Sequence, residues 1–374
     1  MASVFILAGE ASGDRIGAGL MEGLRRHRPA LRVSGVGGEA MQAQGLKSLF
    51  AIDDLAVMGY RDVIGRLPLL LWRARQVVHE VLRTAPDLVI LIDAQVFSKV
   101  VAQRLRKRGY RGQIILYVAP AVWAWGPERA PKLAQIFDEV LSVLPFEPAT
   151  MEALGGPRTA YVGHPATLRY GMRHESPASG SLLLLPGSRT GEIKRHLPLL
   201  RDTAVQYADH PAVSGIAIMS TQSQAERLRT LTRAWPIKVS VVADDIQRKA
   251  LMENAVAAVA VSGTITLELA LAGVPHVLTY IAEGAQVALF KKATTKFIGL
   301  PNIIAGKKVI PEILFAHRGD AGQLTEALER LLVDPSARQD QVEDFREIRT
   351  LMEKGTPEAP LQDPVQTILA RLPA

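Results

Sequence analysis

The stretch that most constrains the fold is S-L-L-L-L-P-G at residues 181–187. Its leucines, Leu182 to Leu185, are too few for a helix and do not alternate with polar residues. They therefore predict a strand that is buried on both faces, as in a parallel sheet. Pro186 and Gly187 end this strand, and a helix is expected to follow.

The turn after this strand carries groups that suit an anion. Ser188 is expected to cap the next helix, Glu192 falls in its first turn, and Arg189 lies between strand and helix. Free backbone N–H groups at the carboxyl end of a parallel strand, together with Gly187, Ser188 and Arg189, suit a phosphate. An ordinary connection with a solvated arginine explains the same residues equally well.

Apolar runs of this kind alternate with helix-length segments along the whole chain, which is typical of parallel sheets covered on both faces. The predicted strands are Val4–Ala8, Arg32–Val36, Leu88–Asp93, Ile114–Val118, Val140–Leu144, Tyr161–Val162, Leu182–Leu185, Gly215–Met219, Val239–Val242, Ala257–Val261 and His276–Tyr280. They imply an α/β protein with two doubly wound parallel-sheet domains that face each other across a cleft. Predicted boundaries are 1–165 and 166–345, and helices in 346–374 complete the chain.

Composition limits the partners. Lys and Arg number 44 against 37 Asp and Glu, so the net charge of +7 favours an anionic partner. With 5% aromatic residues there is no repeated aromatic and basic platform for nucleic acid. Cysteine is absent and no His or Asp cluster has metal-ligand spacing, so we predict neither a metal nor a cofactor. No apolar run approaches the roughly 20 residues that span a bilayer.

Two loops of the first half are candidates for chemistry. Asp93 ends a buried strand, where partial desolvation makes a carboxylate a better general base; capping the next helix is the alternative. The Gly-rich loop after the first strand contains Glu10, Ser12 and Asp14, and either of the latter two is expected to cap the next helix. A simple tight turn explains this loop as well as a ligand-binding loop does. The spacing of its glycines is not that of a dinucleotide-binding loop.

An aromatic loop and a second Gly turn add further candidates. Trp123 lies in Y-V-A-P-A-V-W-A-W at 117–125, which is either the wall of a pocket or a plug between domains. Ser262, Gly263 and Thr264 follow another buried strand and suit a diphosphate, and Glu268 one turn later can reach ribose hydroxyls. Asn302 suits a uracil edge or a sugar hydroxyl, or is a turn residue.

Together these segments resemble the lipid-A-disaccharide synthase family. The matching stretches are L-A-G-E-A-S-G-D at 7–14, L-A-V-M-G at 55–59, Y-V-A-P-A-V-W-A-W at 117–125, L-P-F-E at 144–147, V-G-H-P at 162–165, L-L-P-G-S-R at 184–189, S-G-T-I-T-L-E at 262–268 and L-P-N-I-I-A-G at 300–306. The resemblance implies the GT-B fold, with the final helix returning to the first domain. It also implies an inverting, metal-independent glycosyltransferase of Gram-negative lipid A and lipopolysaccharide biosynthesis.

The resemblance implies substrates and roles as well. The donor is UDP-2,3-diacylglucosamine, the acceptor is 2,3-diacylglucosamine 1-phosphate (lipid X), and the products are the β-1,6-linked disaccharide 1-phosphate and UDP. Asp93 matches the family's general base. The donor-binding set is Gly187, Ser188, Arg189, Ser262, Gly263, Thr264, Glu268 and Asn302, and the acceptor-side set is Glu10, Ser12, Met58 and Trp123.

Several positions depart from the family pattern. Where the family has Asp-x-Pro-Asp-Phe-Asn, this chain has D-A-Q-V-F-S at 93–98. Polar residues are also replaced at Ala119, Gly126 and Phe315. Alternatives are therefore a catalytically impaired relative that binds nucleotide sugar or membrane, or another UDP-sugar enzyme such as a 2-epimerase.

Acylated substrates imply contact with a membrane. Residues 63–81 combine leucines and Trp72 with arginines, a composition typical of an interfacial segment, although a core helix explains it equally well. The expected membrane contacts are Leu69, Leu70, Trp72 and Arg73. The predicted location is cytoplasmic, peripheral on the anionic cytoplasmic face of the inner membrane, with a homo-oligomer left open.

Overall fold

The computed structural model describes residues 2–55, 60–282, 287 and 295–373. The chain divides into two compact units, the first formed by Met1–Pro165 with Lys354–Ala374 and the second by Ala166–Glu353. Each unit is built on one six-stranded sheet in which the neighbouring strands are parallel. The prediction of two doubly wound parallel-sheet domains is confirmed.

The first unit alternates strands and helices from its first residues. Its strands are β1 (Ser3–Ala8), β2 (Arg32–Val36), β3 (Leu88–Ile92), β4 (Gln113–Tyr117), β5 (Glu139–Ser142) and β6 (Arg158–Tyr161). Its helices are α1 (Ala11–His27), α2 (Glu39–Ala43), α3 (Tyr60–Thr84), α4 (Gln95–Lys107), α5 (Ala130–Ala134) and α6 (Glu147–Ala153). The strand order is β2-β1-β3-β4-β5-β6.

The second unit repeats the plan. Its strands are β7 (Gly180–Leu185), β8 (Val213–Met219), β9 (Ser240–Val242), β10 (Ala255–Val261), β11 (His276–Ala282) and β12 (Glu312–Ala316), in the order β12-β11-β10-β7-β8-β9. Its helices are α7 (Ala166–Arg169), α8 (Thr190–Tyr207), α9 (Gln222–Thr232), α10 (Asp245–Glu253), α11 (Thr264–Leu271), α12 (Leu300–Ala305), α13 (Ala321–Val333) and α14 (Pro335–Lys354).

The last helix, α15 (Pro364–Leu369), belongs to the first unit. Just beyond it, the Arg371 guanidinium donates to both carboxylate oxygens of Glu139 in β5, at 2.7 and 3.0 Å. Glu139 is almost fully buried, so its charge needs this paired donor.

The central strands explain why the apolar runs predict parallel sheets. Every residue of β3 and of β10 is buried, so neither strand has a polar face. All eleven predicted strands are present, with ends that differ by a few residues. β12 was not predicted, and Asp93 lies just beyond β3 instead of inside it.

Candidate active site

The order of strands reverses direction once in each sheet. In the first sheet β1 and β3 flank this switch point, and in the second β7 and β10 flank it. Loops that leave two such strands diverge to opposite faces of the sheet, and α/β proteins bind ligands in the crevice between them. The loops predicted to carry chemistry after Ala8, Ile92, Leu185 and Val261 follow these four strands.

Asp93 directly follows β3 and is held in an unusual backbone conformation. Its φ is 53° and that of Ala94 is 42°, so two consecutive residues other than glycine are left-handed. The Asp93 N–H donates to the Tyr117 carbonyl at 2.8 Å, and the Ser98 hydroxyl donates to the Asp93 carbonyl at 2.7 Å. The N-cap of α4 is Ala94 without a side-chain cap, so the capping alternative for Asp93 is wrong.

The environment of Asp93 strengthens it as a base. Burial raises the pKa of its carboxyl, against a smaller lowering by the Ala94 N–H. A raised pKa increases the proton affinity of the carboxylate. Gly9 in the loop after β1 lies against this segment, because a Cβ placed on Gly9 would come within 2.2 Å of the Ala94 Cβ.

The remaining acceptor-side candidates are distributed over the loop after β1 and its surroundings. Glu10 and Ser12 are exposed at the start of α1. The prediction that Ser12 or Asp14 caps this helix is wrong, because the N-cap is Glu10 and makes no side-chain cap hydrogen bond. Asp14 instead accepts from the backbone N–H groups of Gly38, Ala40 and Met41 at the start of α2. Met58 lies outside the described residues.

Trp123 is fixed by a buried glutamate that was not predicted as a site residue. Its indole Nε1 donates to Glu147 Oε1 at 3.1 Å, and its ring meets Phe146 edge to face with centroids 5.1 Å apart. The Leu144 N–H donates to Glu147 Oε2 at 3.3 Å. Burial raises the pKa of Glu147 to about 8 despite these donors. These contacts fix Trp123 within its own unit. The L-P-F-E stretch at 144–147 carried the signal for Glu147.

In the second unit, the turn after β7 is held by Glu192. Gly187 has a φ of 95°, and a Cβ there would lie 2.7 Å from Glu192 Oε2. The Arg189 guanidinium is tethered by Glu192 Oε1 at 3.1 Å while its side chain is 78% exposed. Arg189 itself is the N-cap of α8, so the prediction that Ser188 caps this helix is wrong; Ser188 is exposed in the turn.

The turn after β10 leads directly into α11. Gly263 is its N-cap and Thr264 its first residue, and both are exposed, while Ser262 is half-buried. Glu268 accepts the Tyr170 hydroxyl at 3.0 Å and lies 3.9 Å from the Arg248 guanidinium. Burial and the charge of Glu268 raise the pKa of Tyr170 to about 12, so the phenol stays a donor. Neither Tyr170 nor Arg248 was predicted from the sequence, because both are distant from Glu268 along the chain.

Asn302 is fully buried and bonded within the protein. Its Oδ1 accepts from the N–H groups of Val309 and Ile310 at 2.7 and 2.9 Å. Its Nδ2 donates to the Ile310 carbonyl at 3.0 Å and to Glu312 Oε1 at 2.8 Å. Glu312 also accepts from the Gly299 N–H. These contacts make Asn302 an anchor for the segment that leads into and out of α12.

Helix α3 contains the segment predicted to contact a membrane. Its second half faces the core through residues such as Val77 and Val81, whereas Trp72 is 50% exposed, next to exposed Leu67 and Leu71. Leu69 and Leu70 are half-buried. Arg73 lies 4.2 Å from the Trp72 ring and donates from Nε to Asp54 at 2.8 Å. The core-helix alternative therefore holds for the second half of α3, and the side chains at 67, 71 and 72 form an exposed apolar face.

The described residues contain neither a metal-binding cluster nor a membrane-spanning helix. In residues 2–55, 60–282, 287 and 295–373, no group of three or more His, Cys, Asp or Glu is arranged to hold a metal ion. Within the same ranges, every helix is too short or too polar to cross a bilayer.

The two doubly wound parallel sheets define a GT-B fold. Solved structures of low sequence identity share this fold, and at such identities the likeness supports the fold and nothing further. The S. aureus MnaA-UDP co-structure is 10% identical with a TM-score of 0.62, covering 94% of this chain and 96% of that one. UDP-GlcNAc 2-epimerase from Neisseria meningitidis bound to UDP-GlcNAc is 9% identical with a TM-score of 0.61, covering 99% and 100%.

Sequence comparison identifies the family. The model of the family described as Lipid-A-disaccharide synthetase matches residues 4–362, and the chain belongs to this family. Curated relatives called lipid-A-disaccharide synthase include one from Rhodopseudomonas palustris (strain BisB18), 38% identical over 99% of this chain and 96% of its own length. Another, from Nitrobacter hamburgensis, is 36% identical over 94% and 91%.

Proposed function

We infer that this protein performs lipid A disaccharide synthesis as an inverting glycosyltransferase. We propose UDP-2,3-diacylglucosamine as the donor and lipid X as the acceptor, which gives the β-1,6-linked disaccharide 1-phosphate and UDP. The observation that carries the proposal is the family match over residues 4–362. It is supported by the location of the candidate loops at the switch points of both sheets.

Asp93 is the proposed general base. Its carboxylate takes the proton of the acceptor 6-hydroxyl as that oxygen attacks the anomeric carbon of the donor. The bond from this carbon to the UDP oxygen breaks on the opposite face, so the configuration inverts and UDP leaves with the bonding electrons. The raised pKa of Asp93 and its constrained backbone favour this role.

The second unit is proposed to hold the donor without a metal. Arg189 and Ser188, with the N–H groups at the starts of α8 and α11, would stabilise the negative charge that develops on UDP. Gly187 and Gly263 would let the phosphates approach the backbone, and Ser262 and Thr264 would add hydroxyls.

Two residues are proposed to act around the nucleotide and sugar. Glu268 would accept from ribose hydroxyls, with Tyr170 fixing its carboxylate through their 3.0 Å hydrogen bond. Asn302 would act as a positioning residue, because all of its described contacts hold the segment around α12.

The acceptor side and the membrane contact are proposed for the first unit. Glu10, Ser12 and Trp123 would face the acceptor sugar. The exposed face of α3 at Leu67, Leu71 and Trp72 would contact the anionic cytoplasmic surface of the inner membrane, where the net charge of +7 is favourable. Leu69 and Leu70, which are half-buried, would enter the membrane surface less deeply. Arg73 would hold this part of the helix in place through its hydrogen bond to Asp54.

The test is UDP release by the purified protein in detergent micelles with EDTA. We expect release only when both acylated sugars are present, together with the disaccharide 1-phosphate in a one-to-one ratio. Conversion of UDP-GlcNAc alone to its C2 epimer, followed by NMR, serves as the control for 2-epimerase activity. Binding of UDP without turnover would instead identify a catalytically silent relative and contradict the proposal.

A further inference from the structure

Arg248 is a largely covered cation beside Glu268, and its side chain makes no hydrogen bond with the described residues. Its Nη1 lies 3.5 Å from Asp245 Oδ1 and its Nη2 lies 3.9 Å from Glu268 Oε2, while 15% of its side chain is exposed. Nε is buried without a partner in the described part of the chain, whereas Nη1 and Nη2 are not enclosed in this way. These two nitrogens are therefore accessible donors, and they require acceptors from a ligand or from water.

The two carboxylates beside Arg248 are engaged by other groups. Arg169 donates from Nη2 to Asp245 Oδ1 at 2.6 Å, and the Tyr170 hydroxyl donates to Glu268 Oε2 at 3.0 Å. The second oxygen of Glu268, Oε1, has no hydrogen-bond partner among the described residues and is not enclosed. Glu268 and Arg248 thus present an open acceptor next to two open donors.

The fold brings this pair to the switch point of the second sheet. α11, which carries Glu268, follows β10, and α10, which carries Arg248, contacts β7. β7 and β10 are the two strands that flank the switch point, where α/β proteins bind ligands.

The contacts around the pair form a closed loop. Arg169, which is bonded to Asp245, also lies 5.6 Å from the centre of the Tyr170 ring. The loop joins α7 and Tyr170 to the starts of α10 and α11, so the orientation of Glu268 and Arg248 is set before a ligand arrives.

We propose that Arg248 is a further substrate-binding residue, which recognises the ribose hydroxyls of the donor nucleotide together with Glu268. This inference rests on the proposed role of Glu268 in the donor site. A hydroxyl both donates and accepts, so a ribose hydroxyl would donate to Glu268 Oε1 and accept from Arg248 Nη1 or Nη2. A nucleotide that lacks this hydroxyl would leave charged groups without a partner, and the pair therefore selects ribose over deoxyribose.

The test is calorimetric titration of the full chain with UDP, 2′-deoxy-UDP and 3′-deoxy-UDP. We expect wild type to bind UDP about tenfold more tightly than at least one of the deoxynucleotides. Arg248→Gln should weaken UDP binding about tenfold but the binding of that deoxynucleotide by about twofold or less, so that the discrimination is lost. Arg248→Lys keeps the charge beside Glu268 with one nitrogen in place of two, and should retain about threefold discrimination. This variant keeps the test valid if Arg248→Gln fails to fold.

Lys249→Gln is the matched control, because Lys249 is the next residue of α10 and is exposed, and its loss should leave the discrimination unchanged. Equal binding of all three nucleotides by wild type, or a loss of the same factor for all three in Arg248→Gln and Arg248→Lys, would overturn the role of Arg248 in recognising ribose.

UDP release from the two acylated sugars, measured on the same wild-type preparation, separates this inference from the proposed function. Release by a wild type whose discrimination does not depend on Arg248 would overturn the inference alone. The predicted discrimination without release would support the role of Arg248 and contradict glycosyl transfer.

Discussion

Glu147 should make the stability of the first unit depend on pH. Its pKa is about 8 instead of 4.5, because burial penalises the carboxylate. A raised folded-state pKa gives a stability contribution that is complete below about pH 4.5 and is lost as the pH rises through 8. At about 1.4 kcal/mol for each pH unit, the loss over this window is about 5 kcal/mol.

The perturbation that isolates this contribution is Glu147→Gln, an uncharged side chain that still accepts from Trp123. We expect the free energy of unfolding of the variant to match that of wild type within about 1 kcal/mol at pH 5. At pH 8.5 the variant should be more stable by several kcal/mol, with about 5 kcal/mol as the upper limit. Urea unfolding followed by tryptophan fluorescence measures this, since three of the four tryptophans, Trp72, Trp123 and Trp125, belong to the first unit.

Glu152→Gln on the same helix is the matched control, because Glu152 is exposed and its removal should leave the pH profile unchanged. The reasoning is refuted if the difference between wild type and Glu147→Gln stays constant from pH 5 to 8.5. The indole and backbone donors would then outweigh burial and keep the carboxylate ionised.

Three further substitutions test the site. Gly9→Ala would place a Cβ 2.2 Å from that of Ala94, so it should reduce UDP release about tenfold and the free energy of unfolding by about 1–3 kcal/mol. Gly19→Ala is its control and should change neither, because its Cβ meets nothing within 4 Å. Asn302→Ala should cost about 2–4 kcal/mol in urea unfolding, and unchanged stability would contradict its anchoring role. Arg189→Gln should weaken UDP binding about tenfold by calorimetry, whereas equal affinity would remove Arg189 from the diphosphate site.

The fold was predictable because its central strands have no polar face. Leu182–Leu185 and Leu88–Ile92 are buried throughout, so their apolar runs point directly to parallel sheets. β12 was missed for the opposite reason. It is the edge strand of its sheet, begins with Glu312 and mixes exposed and buried residues.

The site was predictable only as far as local sequence determines it. Loops follow buried strands, so their positions at the carboxyl ends of the sheets could be inferred. Partners could not. Asp14 was expected to cap its own helix but bonds to α2, and Glu147 is joined to Trp123 across 24 residues of chain. Hydrogen bonds of this kind depend on tertiary packing, which no sequence period reports.

Membership of the lipid-A-disaccharide synthetase family does not by itself test the assignment of the base. Asn adopts the left-handed backbone about as readily as Asp, so Asp93→Asn should preserve the turn that Asp93 and Ala94 form. The Ser98→Ala variant, which removes a hydrogen bond to the Asp93 carbonyl but no carboxylate, is the matched control.

The most direct measurement is therefore UDP release by Asp93→Asn beside calorimetric UDP binding by the same preparation. With Asp93 as the base, turnover falls by about 10²–10⁴-fold while the Kd for UDP stays within about twofold of wild type. Turnover close to that of wild type, in a variant that binds UDP normally, would show that another group removes the proton.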